Sequence, residues 1–152
     1  MKMTRRFLAS LLLIPLLSAC EPLLIPMSEL DGQPVATSLT QEQVRAAIKS
    51  AASTAGWEAQ DAGPGSILAT YNIRVHTVVV DISYTETGYS INYDRSNEMK
   101  VHCSEAEKTK GRIKITGPDI CPDGAKPIYI HKNYQAWIDQ LNAAIVRALA
   151  TA

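Results

Sequence analysis

Several features that mark common classes of protein are scarce in this sequence. Aromatic residues make up 6% of its 152 residues, too few for the stacking platform of a single-strand nucleic-acid binder. Three of the 15 basic residues precede residue 20, so the remainder carries three more carboxylates than cations. A weakly acidic chain without a basic stripe is not typical of nucleic-acid binding. The rest of the composition, 46% hydrophobic and 20% charged residues, indicates one globular domain with a modest core.

The residue patterns of common active sites are missing as well. The sequence offers no Ser-His-Asp order, no pair of catalytic carboxylates, no glycine-rich phosphate loop and no Cys-x-x-Cys motif. We therefore expect a protein that is not an enzyme and that holds no cofactor and no metal ion.

The hydrophobic run at the amino terminus is too short to cross a membrane. Residues 7–17 form an apolar stretch of eleven residues that includes a proline, whereas a transmembrane helix needs about 20. A basic start with Lys2, Arg5 and Arg6 precedes this stretch, which is the pattern of a secretory signal. Residues 1–19 are therefore predicted to be a signal peptide.

A cysteine follows this signal in a specific context. Leu17, Ser18 and Ala19 precede Cys20, and the motif resembles the lipobox of bacterial lipoproteins. The resemblance implies cleavage after Ala19 and acylation of Cys20 on its sulfur and then on its new amine. Two or three acyl chains, at about 0.8 kcal/mol per buried methylene, make a permanent anchor. The alternatives are an ordinary signal peptide with a chance cysteine, or a buried hairpin of the mature fold.

The residues around the cleavage site also bear on location. Residue 21 is Glu rather than the Asp that tends to retain enterobacterial lipoproteins in the inner membrane. The resemblance therefore favours a lipid anchor in the outer membrane of a Gram-negative bacterium, with the domain in the periplasm. Residues 20–38 contain three prolines and a glycine without sustained periodicity, and we expect a lipidated cysteine followed by a flexible tether of about 40–50 Å at full reach.

Residues 39–152 are predicted to form a single α+β domain bounded by two amphipathic helices. Thr40 and Gln43 have the spacing of a capping box, apolar residues then recur at helical spacing, and Gly56 is suited to end the helix. A second helix of about 17 residues is indicated near the carboxyl terminus. Its apolar face consists of Tyr134, Trp137, Ile138, Leu141, Ile145, Ala148 and Leu149.

Between the helices the sequence predicts an antiparallel sheet. Residues 57–62 suit an edge strand, and residues 89–93 alternate after a polar turn at 85–88. The apolar positions of residues 67–84 change parity, so we expect a break near residues 72–76 that divides them into two strands. The predicted fold is a two-layer α-β-β-β-β-α domain, a four-stranded meander flanked by both helices. Its outer sheet face is expected to be polar and to carry Thr70, Asn72, Thr77, Asp81, Ser83 and Asn92.

Residues 96–126 are expected to form an insertion that contains the two remaining cysteines. Export to an oxidising compartment and the use of Cys20 for lipid leave Cys103 and Cys121 as an even pair, which favours a disulfide. Closing a loop of about 19 residues would add roughly 3 kcal/mol of stability. The alternatives are a zinc site that recruits His102 and His131, for which the usual spacing is absent, and a free thiol.

Arg74 and His76 are the candidate contact residues. They fall where the strand parity breaks, so both are expected at the end of a hairpin, where they would form a small anion-binding or partner-contact point. The alternative is an exposed turn arginine and a histidine that is hydrogen-bonded to the backbone. His131, just before the last helix, is expected to pack or to cap that helix.

Spaced aromatic and aliphatic residues carry a second resemblance. They are Gly56-Trp57, Arg74-x-His76, Tyr89-Ser90-Ile91-x-Tyr93-x-x-Ser96 and Ile130-His131-x-x-Tyr134-x-x-Trp137-Ile138-x-x-Leu141. From Leu39 to Ile145 the chain resembles a group of small proteobacterial lipoproteins that have no assigned activity. The chain departs from that group between Asn97 and Pro127, a region that includes Cys103 and Cys121.

These observations together favour a non-enzymatic envelope interaction module that faces the periplasm. Its partners would be the membrane, through the lipid anchor, and an envelope protein or peptidoglycan, but not nucleic acid. One alternative is a binding protein for a small ligand or a peptidoglycan fragment, with stacking by Tyr71, Tyr84, Tyr89 and Tyr93. Another alternative is an inhibitor of a periplasmic enzyme that uses the disulfide-closed loop.

Overall fold

The computed structural model describes residues 23–35, 38–103, 118–121 and 124–152. The predicted signal peptide, Cys20 and most of the predicted insertion therefore lie outside the described residues. The described elements, in chain order, are β1 (Leu24–Pro26), β2 (Leu30–Pro34), α1 (Gln41–Thr54), β3 (Glu58–Gly63), β4 (Ser66–Ile73), β5 (His76–Tyr84), β6 (Gly88–Asn97), β7 (Pro118–Asp119), β8 (Tyr129–His131) and α2 (Asn133–Leu149).

Both helices form where the sequence predicts them. Thr40 caps α1 through the expected capping box, in which its hydroxyl accepts from the Gln43 amide and the Gln43 side chain accepts from the Thr40 amide. Gly56 follows the helix with a φ of +82°, a conformation that favours glycine. The second helix, α2, has 17 residues, as its apolar periodicity predicts.

The strands β3 to β6 form the predicted antiparallel meander. The predicted break is a two-residue turn at Arg74 and Val75, where Arg74 has a φ of +56° and β4 reverses into β5. A register shift between Val79 and Val80 lengthens β6 by one residue relative to β5, which is the geometry of a β-bulge. The edge strand β3 pairs with β4, as expected for residues 57–62.

The fold contains more strands than the sequence analysis predicts. The main sheet has the order β2-β6-β5-β4-β3, with β7 pairing the end of β6, and β1 pairs with β8 in a separate two-stranded sheet. The described order therefore begins with two strands rather than with a helix. The α+β class is correct, but the α-β-β-β-β-α outline is incomplete.

The extra strands correct the predicted tether. Residues 23–35 are part of the folded domain, since β1 pairs with β8 and β2 pairs with β6. The Glu29 carboxylate accepts from the Tyr93 amide at 3.0 Å and from the Lys126 ammonium at 2.5 Å. The segment is extended, as its prolines and its lack of periodicity indicate. Its backbone hydrogen bonds are made with distant strands, however, and not with water. The domain boundary at residue 39 is therefore too late.

The core lies between the two helices and one face of the main sheet. The most completely buried side chains come from every major element, so the core is continuous. They include Val44 and Ile48 of α1, Ile67, Val78, Ile82 and Ile91 of the sheet, and Tyr134, Ile138, Leu141 and Ile145 of α2. The opposite face carries the predicted polar residues, which are half-buried or exposed, with Val79 as a buried exception.

Candidate functional site

The main sheet has two chemically different ends. At one end, which we call the histidine end, lie Arg74, His76, Glu98, Lys100, His131 and Lys132. The β4–β5 turn places Arg74 and His76 there, and the backbone amide of His131 donates to the carbonyl of Met99 at 3.0 Å. That bond brings the end of β8 and the residues after β6 to the same place.

Two histidine rings face each other at this end. The ring centroids of His76 and His131 lie 5.7 Å apart with an angle of 30° between the planes, so the rings are stacked. Nδ1 of His76 lies 2.8 Å from the carbonyl oxygen of Glu98 and donates to it. Nδ1 of His131 accepts from the Asn133 amide at 3.2 Å, which satisfies one of the unpaired amides at the start of α2.

The surroundings of His131 are electropositive. Burial lowers the pKa of His131 below its ordinary value of 6.5, and the nearby charges of His76, Lys100 and Lys132 lower it further. The capping bond requires an unprotonated Nδ1, which agrees with this direction. The histidine end therefore combines a ring held in its neutral form with cations around it.

The histidines continue a row of aromatic rings that belongs to the core. Trp57 stacks on Tyr71 at 5.0 Å, and Tyr71 lies 5.2 Å from Trp137. Trp137 in turn lies 6.3 Å from His76. Both tryptophans are buried, and Trp137 packs against His76. His76 and His131 are themselves half-buried.

The structure places both predicted contact residues, Arg74 and His76, at the histidine end. His76 is bonded to the backbone, as the alternative interpretation proposed, and Arg74 is exposed in the turn. No local motif of the sequence connects His131 or Lys100 with them, because His76 and His131 lie 55 positions apart in the chain. Within the described part of the chain, no three His, Cys, Asp or Glu side chains converge as a metal site.

The predicted disulfide is present. The Sγ atoms of Cys103 and Cys121 are 1.95 Å apart and their Cα atoms are 5.5 Å apart. Beside the bridge, the buried Asp119 carboxylate accepts from the Ser96 hydroxyl at 2.6 Å and from the Met99 amide at 2.8 Å. Asp119 therefore connects residues 118–121 to β6, and the bridge connects them to Cys103, which follows that strand.

The other end of the sheet, which we call the groove end, holds two adjoining shallow grooves. It is formed by the β3–β4 turn at Pro64 and Gly65 and the β5–β6 turn at residues 85–87. One groove has a volume of about 660 Å³ and is lined by β2 and both turns, and the other, of about 650 Å³, lies towards the start of α1. The second groove is lined by the charged side chains of Glu42, Arg45 and Asp61.

An ion-pair network borders the second groove. The Arg45 guanidinium donates to both carboxylate oxygens of Asp61, at 2.7 and 2.5 Å, and the Lys49 ammonium donates to the same carboxylate at 2.8 Å. These hydrogen bonds, that of Arg45 first, hold the pKa of Asp61 well below its ordinary value. The network is exposed to solvent, and it joins α1 to the edge strand β3.

The four tyrosines proposed as a stacking surface serve the core instead. Tyr84, Tyr89 and Tyr93 are buried, and Tyr71 is half-buried within the ring row. The Tyr89 hydroxyl donates to the Asn142 side chain at 2.6 Å, and burial raises the pKa of Tyr89 to about 12. The interpretation of these rings as a platform for sugars therefore has no support from their placement.

Comparisons with protein-family models, with curated proteins and with solved structures found no match to the chain. None of the helices in the described ranges has the length and apolar character needed to cross a bilayer.

Proposed function

We propose that the chain is an outer-membrane lipoprotein whose periplasmic domain acts as a non-enzymatic interaction module. The observation that carries the proposal is the sequence Leu17-Ser18-Ala19-Cys20, placed directly after a basic start and an apolar stretch. In this proposal Cys20 bears the acyl chains, and the domain projects from the inner leaflet of the outer membrane.

The disulfide supports an extracytoplasmic location. Structural disulfides persist in oxidising compartments, of which the bacterial periplasm is one. Cys103 and Cys121 satisfy each other within the domain, so Cys20 is the one cysteine of the chain left for a lipid.

The polar face of the sheet is the surface best suited to a partner. Both described helices pack on the other face, and the polar face presents hydroxyl, amide and carboxylate groups from four neighbouring strands. Some of these groups are already ordered, since the Ser66 hydroxyl donates to Asp81 at 2.6 Å and the Thr77 hydroxyl donates to Asn72 at 2.9 Å. Pre-ordered polar groups suit recognition of an envelope protein or a peptidoglycan strand by hydrogen bonds.

Acyl labelling tests the anchor. In cells supplied with labelled palmitate, the wild-type chain is expected to incorporate label and to fractionate with the outer membrane, and Cys20→Ser is expected to lose both properties. The double variant Cys103→Ser/Cys121→Ser is the matched control and should keep the label, since it leaves the lipobox intact. Persistent labelling of Cys20→Ser would refute the lipoprotein assignment.

Affinity capture tests the interaction surface. The acylated protein, solubilised from membranes in mild detergent, is expected to retain a specific envelope protein or peptidoglycan fragment, and Asn92→Arg on the polar face should release it. Gln140→Arg on the exposed side of α2 adds the same charge away from that face and should leave capture unchanged. Equal capture by both variants would exclude the polar face as the contact surface.

A further inference from the structure

The turn that follows β6 has a strained backbone. Glu98 and Lys100 have φ angles of +57° and +53°, a left-handed conformation that is unfavourable for residues other than glycine. Between them, the side chain of Met99 is completely buried. A backbone of this kind persists only where the surrounding structure holds it in place. We call residues 98–100 the strained turn.

Hydrogen bonds from three distant parts of the chain hold the strained turn. The Met99 amide donates to the Asp119 carboxylate at 2.8 Å, and the Met99 carbonyl accepts from the His131 amide at 3.0 Å. The Glu98 carbonyl accepts from Nδ1 of His76 at 2.8 Å. The turn therefore connects Asp119 on one side with both members of the stacked histidine pair on the other.

The disulfide helps to position Asp119. This residue lies two positions before Cys121, whose sulfur is bonded to that of Cys103. The strand β7, to which Asp119 belongs, has only two residues, and it pairs with the last two residues of β6. A ladder of this length is shorter than the strands that are usually stable in proteins. Without the bridge, Asp119 would be held by this short ladder and by its own hydrogen bonds.

The two sulfur atoms of the bridge differ in their access to a reductant. Cys121 is 5% exposed, whereas Cys103 is half-buried, and a thiolate attacks the disulfide sulfur that it can reach. A dithiol reductant would form a mixed disulfide with Cys103 and release Cys121 as a thiol. Its second thiol then displaces the Cys103 sulfur and closes the disulfide of the oxidised reductant. Two electrons and two protons thus pass from the dithiol to the two cysteines.

We propose that the Cys103–Cys121 bridge is a redox-sensitive switch for the histidine end. In the oxidised protein the bridge holds Asp119 against the strained turn, and the turn holds His76 and His131 in their stacked arrangement. When a dithiol reduces the bridge, Asp119 is released, the turn relaxes towards negative φ angles and the two rings separate. A partner at this end would therefore meet a different surface in the reduced protein. The switch does not depend on the lipid anchor.

Hydrogen exchange at the His131 amide measures the switch. The acceptor of this amide is the Met99 carbonyl, so opening of the strained turn exposes it to solvent. The full chain, purified with its bridge intact in mild detergent, is studied by NMR before and after treatment with dithiothreitol. We expect exchange at the His131 amide to become at least about fivefold faster in the reduced protein, because the turn loses its hydrogen bond to Asp119.

The ring of His76 gives a second measurement. Its Nδ1 carries the proton in the oxidised protein, because the Glu98 carbonyl can only accept. Release of this carbonyl removes the preference for one tautomer. At about pH 8, where imidazole is mainly neutral, the ring nitrogen shifts should indicate the Nδ1–H tautomer before reduction and a mixture of both tautomers afterwards.

Variants test whether the effect passes through Asp119. Cys103→Ala/Cys121→Ala should exchange at the His131 amide like the reduced wild type, with no further response to dithiothreitol. Asp119→Asn keeps the bridge but replaces the carboxylate by a weaker acceptor, so exchange should be faster before reduction and respond less to it. Asp81→Asn removes a carboxylate on the polar sheet face and should respond like wild type. Preserved protection of the β5 amides shows that each variant is folded.

The alternative outcomes each contradict the switch. If the Met99 amide exchanged faster on reduction while the His131 amide and the His76 tautomer stayed unchanged, Asp119 would move without the strained turn. If protection fell equally throughout the main sheet, the bridge would stabilise the whole domain and not this turn. An equal response to dithiothreitol in Cys103→Ala/Cys121→Ala would show that the reductant acts elsewhere. Any of these results would overturn the proposal.

Discussion

At the scale of single residues, the same side chains often serve the core and the surface. Trp137 illustrates this, since it is only 8% exposed and its ring contacts Tyr71 on one side and His76 on the other. It therefore links the apolar face of α2 to the histidine end. The packing of the core and the contact with His76 both depend on the Trp137 indole ring.

Trp137→Ala is expected to lower the free energy of unfolding by about 3–5 kcal/mol, because it removes a large buried ring and leaves a cavity. Denaturant unfolding of the folded domain measures the loss. Val146→Ala on the same helix, where the side chain is 53% exposed, should change stability by less than about 0.5 kcal/mol. If both variants were equally mild, the packing of this face would be misassigned.

His131 should make stability depend on pH. Because the pKa of His131 is lowered in the folded domain, the unfolded chain binds a proton more readily, and stability falls as pH drops below about 6.5. The loss levels off once the pH is below the folded-state pKa. His131→Asn keeps an acceptor that can cap α2 but does not titrate, so its stability profile should be flatter.

The measurement is the free energy of unfolding between about pH 5.5 and 8, a window in which few carboxylates with ordinary values titrate. Wild type and His131→Asn are compared at each pH. Parallel profiles would show that His131 does not contribute to the pH dependence.

At the scale of elements, the insertion is the part whose order depends on covalent and polar links. β7 has two residues, and one of them, Asp119, accepts from the Ser96 hydroxyl and the Met99 amide. The strands β4 to β6, by contrast, are held by long ladders and by the core. The two regions should therefore respond differently to reduction.

Reduction of the Cys103–Cys121 bridge is expected to loosen the insertion locally and to leave the main sheet folded. Hydrogen exchange should show loss of protection at the Met99 amide, whose acceptor Asp119 is no longer held in place, while Val80 and Ile82 of β5 keep theirs. The variant Cys103→Ala/Cys121→Ala should reproduce the pattern without reductant. Uniform loss of protection over the sheet would show that the bridge supports the whole core.

At the scale of the whole molecule, the decisive feature is that the amino-terminal segment is built into the domain. Met27, Leu30 and Val35 pack against the core, and β2 covers the edge of β6. The short connection between Leu23 and Cys20 follows from this arrangement.

A chain that begins at residue 39 is expected to be less stable than one that begins at residue 23 by about 3 kcal/mol or more. The truncation exposes the three half-buried apolar side chains and their contacts, and it leaves the Tyr93 amide without its Glu29 acceptor. Melting temperatures of the two purified chains measure the difference. Equal values would restore the interpretation of residues 23–35 as a tether.

Much of this architecture follows from short stretches of sequence. The cap at Thr40, the periodicity around Trp137 and the parity change near Arg74 each involve residues that are neighbours in the chain, and the structure has the helices and the turn at those places. The Cys103–Cys121 pair follows from the number of cysteines and from the predicted oxidising compartment, since two cysteines remain once Cys20 is assigned to lipid.

The remaining features depend on contacts between distant residues. Residues 23–35 carry prolines and no periodicity, and they become strands only because β6 and β8 offer free edges for their hydrogen bonds. The meeting of His76 with His131, and of Asp119 with Met99, likewise needs the sheet to be assembled first. Periodicity describes which face of an element is apolar. The partner of that face, and so the position of His76 and His131 beside the start of β1, is decided by the packing of the whole chain.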